Sequence, residues 1–466
     1  PKPIIVQKAN TTTASAQVAF SHTAALASDD RVLSAALAQA GIPRAQSFAS
    51  AATLAQGFCL PPVRGNRLVI ASRSGGHAVV AADLAAAAGF DLAPIPADFL
   101  AHVQSLNRAD VITLTNPLDL GAITDFRISG QVMQEALRRL DMDALLLIQT
   151  FGMGTETALT LELGRRVQQT AGELGKPVAF CAFSHREQVD RLRAELDIPV
   201  FAEVEGAIEA LAASRDHYAR QARAQLLALP APSEARPHEV EALLCRDGAL
   251  GADLALGLLA AYGVPTAEWA VVDSVEGALV AAGAIGYPVA LKVLSPDIVH
   301  KSDVGAISLD IEDRETLRGA FTDLLARVRG QAPDLDLRGV LVQRMAHGGR
   351  EVILGGRRDP AFGPVVMFGL GGIYAEVFRD VTFRLAPLSR ADAEEMVAEV
   401  RSVGLLRGAR GQAASDIDAV VEALLALSEL MLACPEVSEI DVNPLVVFER
   451  GAVAVDSRAV IAVPVT

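Results

Sequence analysis

Cysteine is scarce. There are four in 466 residues, Cys59, Cys181, Cys245 and Cys434, far apart and with no CxxC pair. That excludes a disulfide framework and a cysteine zinc site, and it is the usage of a reduced compartment. Cys181, within VAFCAF, reads as buried. No apolar run reaches the roughly 18 residues of a membrane span. The nearest stretch, GALVAAGAIGYPVAL, is short and broken by Gly and Pro. No secretory leader pattern opens the chain, so the expected location is cytoplasmic and no membrane partner is expected. Basic charge is in deficit: Lys plus Arg is 41 against 56 Asp plus Glu, a net charge of −15. That argues against nucleic acid or an anionic membrane as the main partner, while leaving room for a local basic pocket. Short internal repeats and low-complexity tracts are also absent.

Apolar residues are plentiful, 51% of the chain, enough for several packed cores. The length suggests about three domains. Residues 1–63 open with an apolar strand, PIIVQKAN, and run into helical sequence, DDRVLSAALAQAG. One strand and one helix do not make a domain, so this piece must pack on something else. Residues 64–222 alternate buried-strand runs (RLVIAS, DALLLIQT, KPVAFCAFS) with helical stretches such as ETALTLELGRRVQQTAGELG. Strand, helix, strand, helix reads as a doubly wound α/β sheet. The proline-rich LPAPSEARPHE, residues 229–239, marks a linker, placed at 223–235. Residues 236–466 differ in texture. Helix GADLALGLLAAYG is followed by strands YPVALKVLS, GAISLDI, GVLVQRM and REVILGGRRD, and the end is strand-rich. This reads as an α+β domain with antiparallel strands.

Several residues carry chemistry. His22, in SHTAALASDD, stands among small residues with no second ligand beside it. Lys292 lies in an apolar strand, VALKVLS, where an ammonium needs an anion or a route to the surface. Asn443 and Asp456 fall near the two ends of a hairpin in EIDVNPLVVFERGAVAVD. Two such oxygen ligands suit Mg²⁺, because nucleotide phosphates and water complete its shell. The bland alternatives are an Asx turn at Asn443-Pro444 and a solvated Asp456. Neither Lys292 nor Asp456 reads as core, so their replacement is expected to leave the melting temperature almost unchanged. The glycines of FGLGG, Gly371 among them, offer backbone amides to phosphate. Ser74, Gly75 and Gly76 open a helix whose free amides suit a phosphate.

In this order the motifs resemble a known family. The lysine strand, VLVQRMAHGGREVILGGRRDPAFGPVVMFGLGG and EIDVNPL resemble the ATP-grasp fold across about residues 236–466. More narrowly, SPDIVHKSDVGA looks like a loop of NDP-forming acyl-CoA synthetases, relatives of succinyl-CoA synthetase. SHTAALASDD resembles their phosphohistidine loop, usually closer to SHTGALAGSD, with Ala24 and Ser28 in place of glycines. SRSGGHAVVAADL resembles the Ser-Gly-Gly turn of a flavodoxin-like ligase domain, with His77 departing from the usual Gly-Pro-Gly continuation, and NPLDLG (116–121) resembles a structural turn of that family.

The resemblance implies two flavodoxin-like ligase parts, residues 1–63 with the phosphohistidine loop and residues 64–222, and an ATP-grasp domain at 236–466. It implies that His22 and His300 carry phosphate and that Ser74, Gly75 and Gly76 hold it. It further implies that Lys292, Gln343, Arg344, Met345, Glu351 and Gly371 bind ATP, and that Asn443 and Asp456 hold Mg²⁺. The implied reaction turns a small carboxylic acid, CoA and ATP into acyl-CoA, ADP and phosphate. Imidazole suits a relay, since its free nitrogen attacks phosphorus near neutral pH. The resemblance also implies a homo-oligomer and an N-terminal CoA-binding segment that this sequence does not include. Two rivals stay open: an ATP-grasp carboxylate–amine ligase, which needs no phosphohistidine, and a non-catalytic relative. Neither the acid nor the choice of ATP over GTP is legible.

Overall fold

The computed structural model describes residues 2–11, 15, 29–106, 115–121, 123, 125–226, 236–245, 248–295, 305–331, 335–371, 380–409 and 411–462. Two compact units form. The second takes the described residues from 236 onward and also 29–36, and the first takes the rest. Strands β1 (Val6–Gln7) and β2 (Arg44–Ala45) make a short parallel pair, and helix α1 spans Asp30–Gln39.

The first unit is built on a parallel sheet. Its strands are β3 (Arg67–Ser72), β4 (Asp91–Leu92), β5 (Leu118–Asp119), β6 (Ala144–Thr150), β7 (Val178–Phe183) and β8 (Val200–Phe201). The order is β4-β3-β6-β7-β8, with short β5 also on β3. This is the flavodoxin-like arrangement expected from the sequence. The runs RLVIAS, ALLLIQT and VAFCAF are apolar throughout because both faces are covered. On one face Leu68, Ile70, Leu146 and Ile148 pack with Ala81 and Ala85 of helix α2 (Gly75–Ala87). On the other, Val69, Ala71, Leu145, Leu147, Phe180 and Ala182 pack with helices α3 (Phe126–Arg139) and α4 (Thr155–Leu174). Cys181 is fully buried, as its setting suggested. Asn116 ties the sheet together: its Oδ1 accepts from the Ile70 amide at 3.0 Å, and its Nδ2 donates to the Leu68 and Ala93 carbonyls at 2.8 and 2.9 Å.

The second unit carries two antiparallel sheets. The small one has the order β10-β13-β11-β12, from β10 (Trp269–Val272), β11 (Val289–Leu294), β12 (Ile307–Ile311) and β13 (Gly339–Arg344). Helices α5 (Val275–Ile285) and α6 (Arg314–Gln331) cover one of its faces. The large sheet runs β16-β15-β14-β17-β19-β9. Its strands are β9 (Gly248–Leu250), β14 (Arg350–Asp359), β15 (Gly363–Leu370), β16 (Val381–Leu385), β17 (Val437–Val447) and β19 (Ser457–Ile461), with β18 (Ala452–Ala454) on β17. Val352, Leu354, Ile440 and Val442 form its core face with helix α7 (Ile417–Ala433). This is an α+β arrangement with antiparallel strands, as the sequence texture suggested, and it has the ATP-grasp pattern of two sheets. Among the described residues no helix is long and apolar enough to cross a membrane.

Candidate functional site

Alternation on β11 and β13 sets the first half of the site. Val289, Leu291, Val293, Val340 and Val342 enter the core under α5 and α6. Ala290, Lys292, Leu341 and Gln343 therefore turn to the opposite face, Lys292 being paired with Leu341 and Ala290 with Gln343. Lys292 is only 6% exposed. The expectation that it is not core is therefore wrong: it is one of six buried residues in β11, and its stem is part of the packing. Its Nζ donates to the Val455 carbonyl at 2.6 Å. Gln343 is 1% exposed, with its Nε2 unpartnered among the described residues. The amides of Arg344 and Met345 are committed to the carbonyls of Glu268 and Pro288, at 2.9 and 3.0 Å.

Alternation on β17 sets the second half. Ile440 and Val442 face the core, so Glu439, Asp441 and Asn443 line the open face. The Asn443 amide donates to the Asp456 carbonyl at 3.1 Å, and one Asp456 carboxylate oxygen accepts from the Ser457 amide at 3.0 Å. Val455, the acceptor for Lys292, is next to Asp456. The structure thus brings Lys292, Asn443 and Asp456 into one neighbourhood from two sheets. Glu351 is exposed on β14, and the Gly371 amide donates to its carbonyl at 2.9 Å. A Cβ at Gly371 would stand 3.0 Å from the Cβ and the carbonyl oxygen of Glu351, so a side chain there would need Glu351 to give by a few tenths of an ångström.

Sequence reasoning missed Asp441. Burial, with Glu439 and Asp456 beside it, pushes its carboxyl up to about 6 against the pull of Arg458. The signal was present as ExDxN on a strand, where a period of two puts all three polar groups on one face. Asp441 also lines a cavity of about 470 Å³ with Glu439, Gly355, Arg357, Met367 and Phe383. Arg31 lines this cavity too, and Asp29 is paired with another of its lining residues. Asp29 accepts from Arg357 at 2.8 Å, and Arg31 stacks 5.1 Å over Phe383. Burial opposes ionisation of Asp29, but hydrogen bonds from Arg31 and Arg357 outweigh it and hold the carboxyl below its usual range.

In the first unit, Ser74 is the N-cap of α2, its Oγ accepting from the His77 amide at 3.5 Å. Gly75 and Gly76 are the first helical residues, and their amides face no intrahelical carbonyl. His77 stacks on Phe183 at 4.2 Å. His22 and His300 lie outside the described residues. Among the described residues no cluster of three His, Cys, Asp or Glu side chains forms a metal cage.

Comparison with known proteins covers the whole chain. Residues 241–461 match the family described as ATP-grasp domain, and residues 1–58 match the succinyl-CoA ligase like flavodoxin domain. The chain is 36% identical, over 99% of its length and 66% of the relative's, to acetate–CoA ligase [ADP-forming] I of Archaeoglobus fulgidus. It is 45% identical, over 44% of its length and 88% of the relative's, to the beta subunit of acetate–CoA ligase [ADP-forming] I of Pyrococcus furiosus. A 4-hydroxybutyrate–CoA ligase [ADP-forming] of Nitrosopumilus maritimus is 29% identical over 97% of this chain and 65% of its own. The chain thus spans about two thirds of the length of the single-chain relatives it matches.

Proposed function

The chain belongs to the family of ADP-forming acetate–CoA ligases, acyl-CoA synthetases related to succinyl-CoA ligase, and from that premise we propose that it activates a small carboxylic acid with ATP. The overall reaction is acid + CoA + ATP ⇌ acyl-CoA + ADP + phosphate. The observation that carries this reading is the convergence of Lys292, Asn443 and Asp456: Lys292 Nζ lies 2.6 Å from the Val455 carbonyl, and the Asn443 amide lies 3.1 Å from the Asp456 carbonyl.

Each residue has a role in this reading. Lys292 neutralises phosphate oxygens from inside the small sheet. Gln343, Arg344 and Met345 form the edge against adenine, and with the Arg344 and Met345 amides already used, the buried Gln343 Nε2 is the free donor there. Glu351 meets the nucleotide from β14, and Gly371 lets the backbone come close to phosphate. Asn443 and Asp456 hold Mg²⁺. The donor set fits that ion, since the oxygen ligands Asn443 on β17 and Asp456 between β18 and β19 stand beside further carboxylates. When bound, Mg²⁺ supplies charge neutralisation on the phosphates.

His300 and then His22 carry the phosphoryl group: a histidine nitrogen bonds to the γ-phosphorus as the bond to ADP breaks. The amides of Gly75 and Gly76 receive the phosphate on His22. Transfer to the acid gives an acyl phosphate, and the CoA thiol displaces phosphate. Most of the CoA site is assigned to the third of the relatives' length that this chain does not span. The relatives are named for acetate, 4-hydroxybutyrate and trans-ferulate, so the acid is left open. The test is incubation with γ-labelled ATP and Mg²⁺. Acid-labile, base-stable label on His22 and His300 is expected. No protein-bound phosphate, or label only on Ser or Thr, would overturn the reading.

A further inference from the structure

Gln149, near the end of β6, is 0% exposed, and among the described residues neither its Nε2 nor its Oε1 has a partner. A buried amide left in this state is costly and calls for a partner. Two neighbours share the condition: Arg73 Nε, just past β3, and Ser184 Oγ, just past β7.

The sheet order puts β3, β6 and β7 side by side. The Arg73 amide donates to the Ile148 carbonyl at 3.1 Å, and Gln149 pairs with Ala182. Val69, Ala71, Leu145, Leu147, Phe180 and Ala182 share one core. Arg73, Gln149 and Ser184 come two residues further along each strand and continue that face. The Arg73 guanidinium, 4.1 Å over the Phe126 ring, confirms its side. A fourth group, Ser129 Oγ in the first turns of α3, is also buried and unpartnered. Strand spacing puts the Cα of Gln149 about 5 Å from that of Arg73 and about 8 Å from that of Ser184.

The position is informative. From β3 the chain goes one way to β4 and the other way to β6, and the carboxyl ends of strands at such a reversal are where open α/β sheets bind ligands. The cluster is distinct from the Ser74–Gly76 helix start, since α2 packs on the other face of the sheet.

We infer that Arg73, Gln149 and Ser184 recognise the acid, and that the acid carries a second hydrogen-bonding group such as a hydroxyl. The inference rests on the acid-activating function proposed above. A carboxylate accepts from Arg73 Nε and Gln149 Nε2. Gln149 Oε1 then still lacks a donor, which a plain alkanoate cannot supply and a hydroxy acid can. Phe126 and Phe151, both nearly buried, supply the apolar wall.

The experiment is calorimetric titration of the full chain with matched probes, acetate against glycolate and propionate against 3-hydroxypropionate. At least one hydroxy acid binds tenfold or more tighter than its match. Gln149→Leu, of similar size, erases that preference and raises the melting temperature of the ligand-free protein, because it removes unmade hydrogen bonds. Arg73→Leu weakens both members of a pair. Equal binding within both pairs overturns the inference. So does a lower melting temperature for Gln149→Leu, which would mean that ordered water already satisfies the amide. Labelling by ATP in the same preparation separates the two levels: intact labelling without acid preference removes the recognition site alone, and absent labelling removes the function beneath it.

Discussion

Replacing Lys292 by alanine and by methionine separates its charge from its packing. The side chain is 6% exposed in a strand buried along its whole length. Alanine deletes three methylenes, about 2.4 kcal/mol at ~0.8 each, with a further cost for the cavity left behind. It also deletes the charge-assisted hydrogen bond to the Val455 carbonyl, worth about 1.5–3 kcal/mol. Against these stands relief from holding an ammonium out of water, several kcal/mol for a buried ion. The charge terms roughly cancel, so the alanine variant is destabilised by about 2–3 kcal/mol. Methionine keeps most of the stem volume and drops the charge, so its net effect is within about 1 kcal/mol of zero. At about 2–4 °C per kcal/mol for domains in this size range, alanine lowers the melting temperature by about 4–12 °C and methionine leaves it nearly unchanged. Both lose phosphate neutralisation, and labelling from γ-labelled ATP falls by about 100-fold or more. Thermal melts without nucleotide, read beside initial labelling rates, make the test. A methionine variant that labels at the wild-type rate refutes the phosphate role, and variants that melt together refute the packing argument.

Asp456→Ala should abolish labelling at every Mg²⁺ concentration tested; labelling restored by millimolar Mg²⁺ would show that Asn443 suffices. His300→Ala should block label at both histidines, while His22→Ala should still label at His300; the reverse pattern, read by phosphopeptide mapping, refutes the order of transfer. Cys59 and Cys245 are exposed, whereas burial pushes the thiols of Cys181 and Cys434 up, so native alkylation at pH 7.5 should modify the first two and spare the second two. The Arg67 guanidinium, hydrogen-bonded to Asp143, holds that carboxyl below its ordinary 3.8. Its stabilisation is therefore present above that value and lost as pH falls through the lowered one, so Asp143→Asn should flatten the acid limb of a stability–pH curve.

Much of the fold was legible because period and length carry it. RLVIAS, DALLLIQT and VAFCAF could only be strands covered on both sides, and they form the centre of the parallel sheet. Motif order named Lys292, Gln343, Glu351, Asn443 and Asp456 as candidates, and of these the structure brings Lys292, Asn443 and Asp456 into one neighbourhood. The burial of Lys292 was misjudged because an isolated lysine signals a charge that seeks water, and nothing local says that a second sheet supplies a carbonyl. Asp441 was passed over because its role as a site wall depends on β14 lying beside β17, a pairing between residues far apart in sequence. The grouping of residues 29–36 with the second unit has the same origin: Val32 finds Val365 and Phe383, and no local pattern announces such a contact. Gln149 is the opposite case. Its amide at the end of an apolar run, ALLLIQT, was visible from the start, but only the orphaned state of its side chain gives it meaning.

The two halves of the proposed nucleotide site carry charges of opposite sign, and this bears on what would fill it. The small sheet carries a buried ammonium, Lys292, whose Nζ donates to the Val455 carbonyl. The large sheet gathers Glu439, Asp441 and Asp456, and burial first, then the two neighbouring carboxylates, push the Asp441 carboxyl up to about 6. A free anion is repelled by the carboxylates, and a free cation by the ammonium. A magnesium nucleotide brings both signs in one ligand, phosphate toward Lys292 and metal toward Asn443 and Asp456. On the proposed reading, this arrangement of charge favours a metal–polyphosphate over either ion alone. On this argument ADP without Mg²⁺ should bind weakly, Mg²⁺ alone weakly, and the two together far more tightly than the sum of their separate free energies.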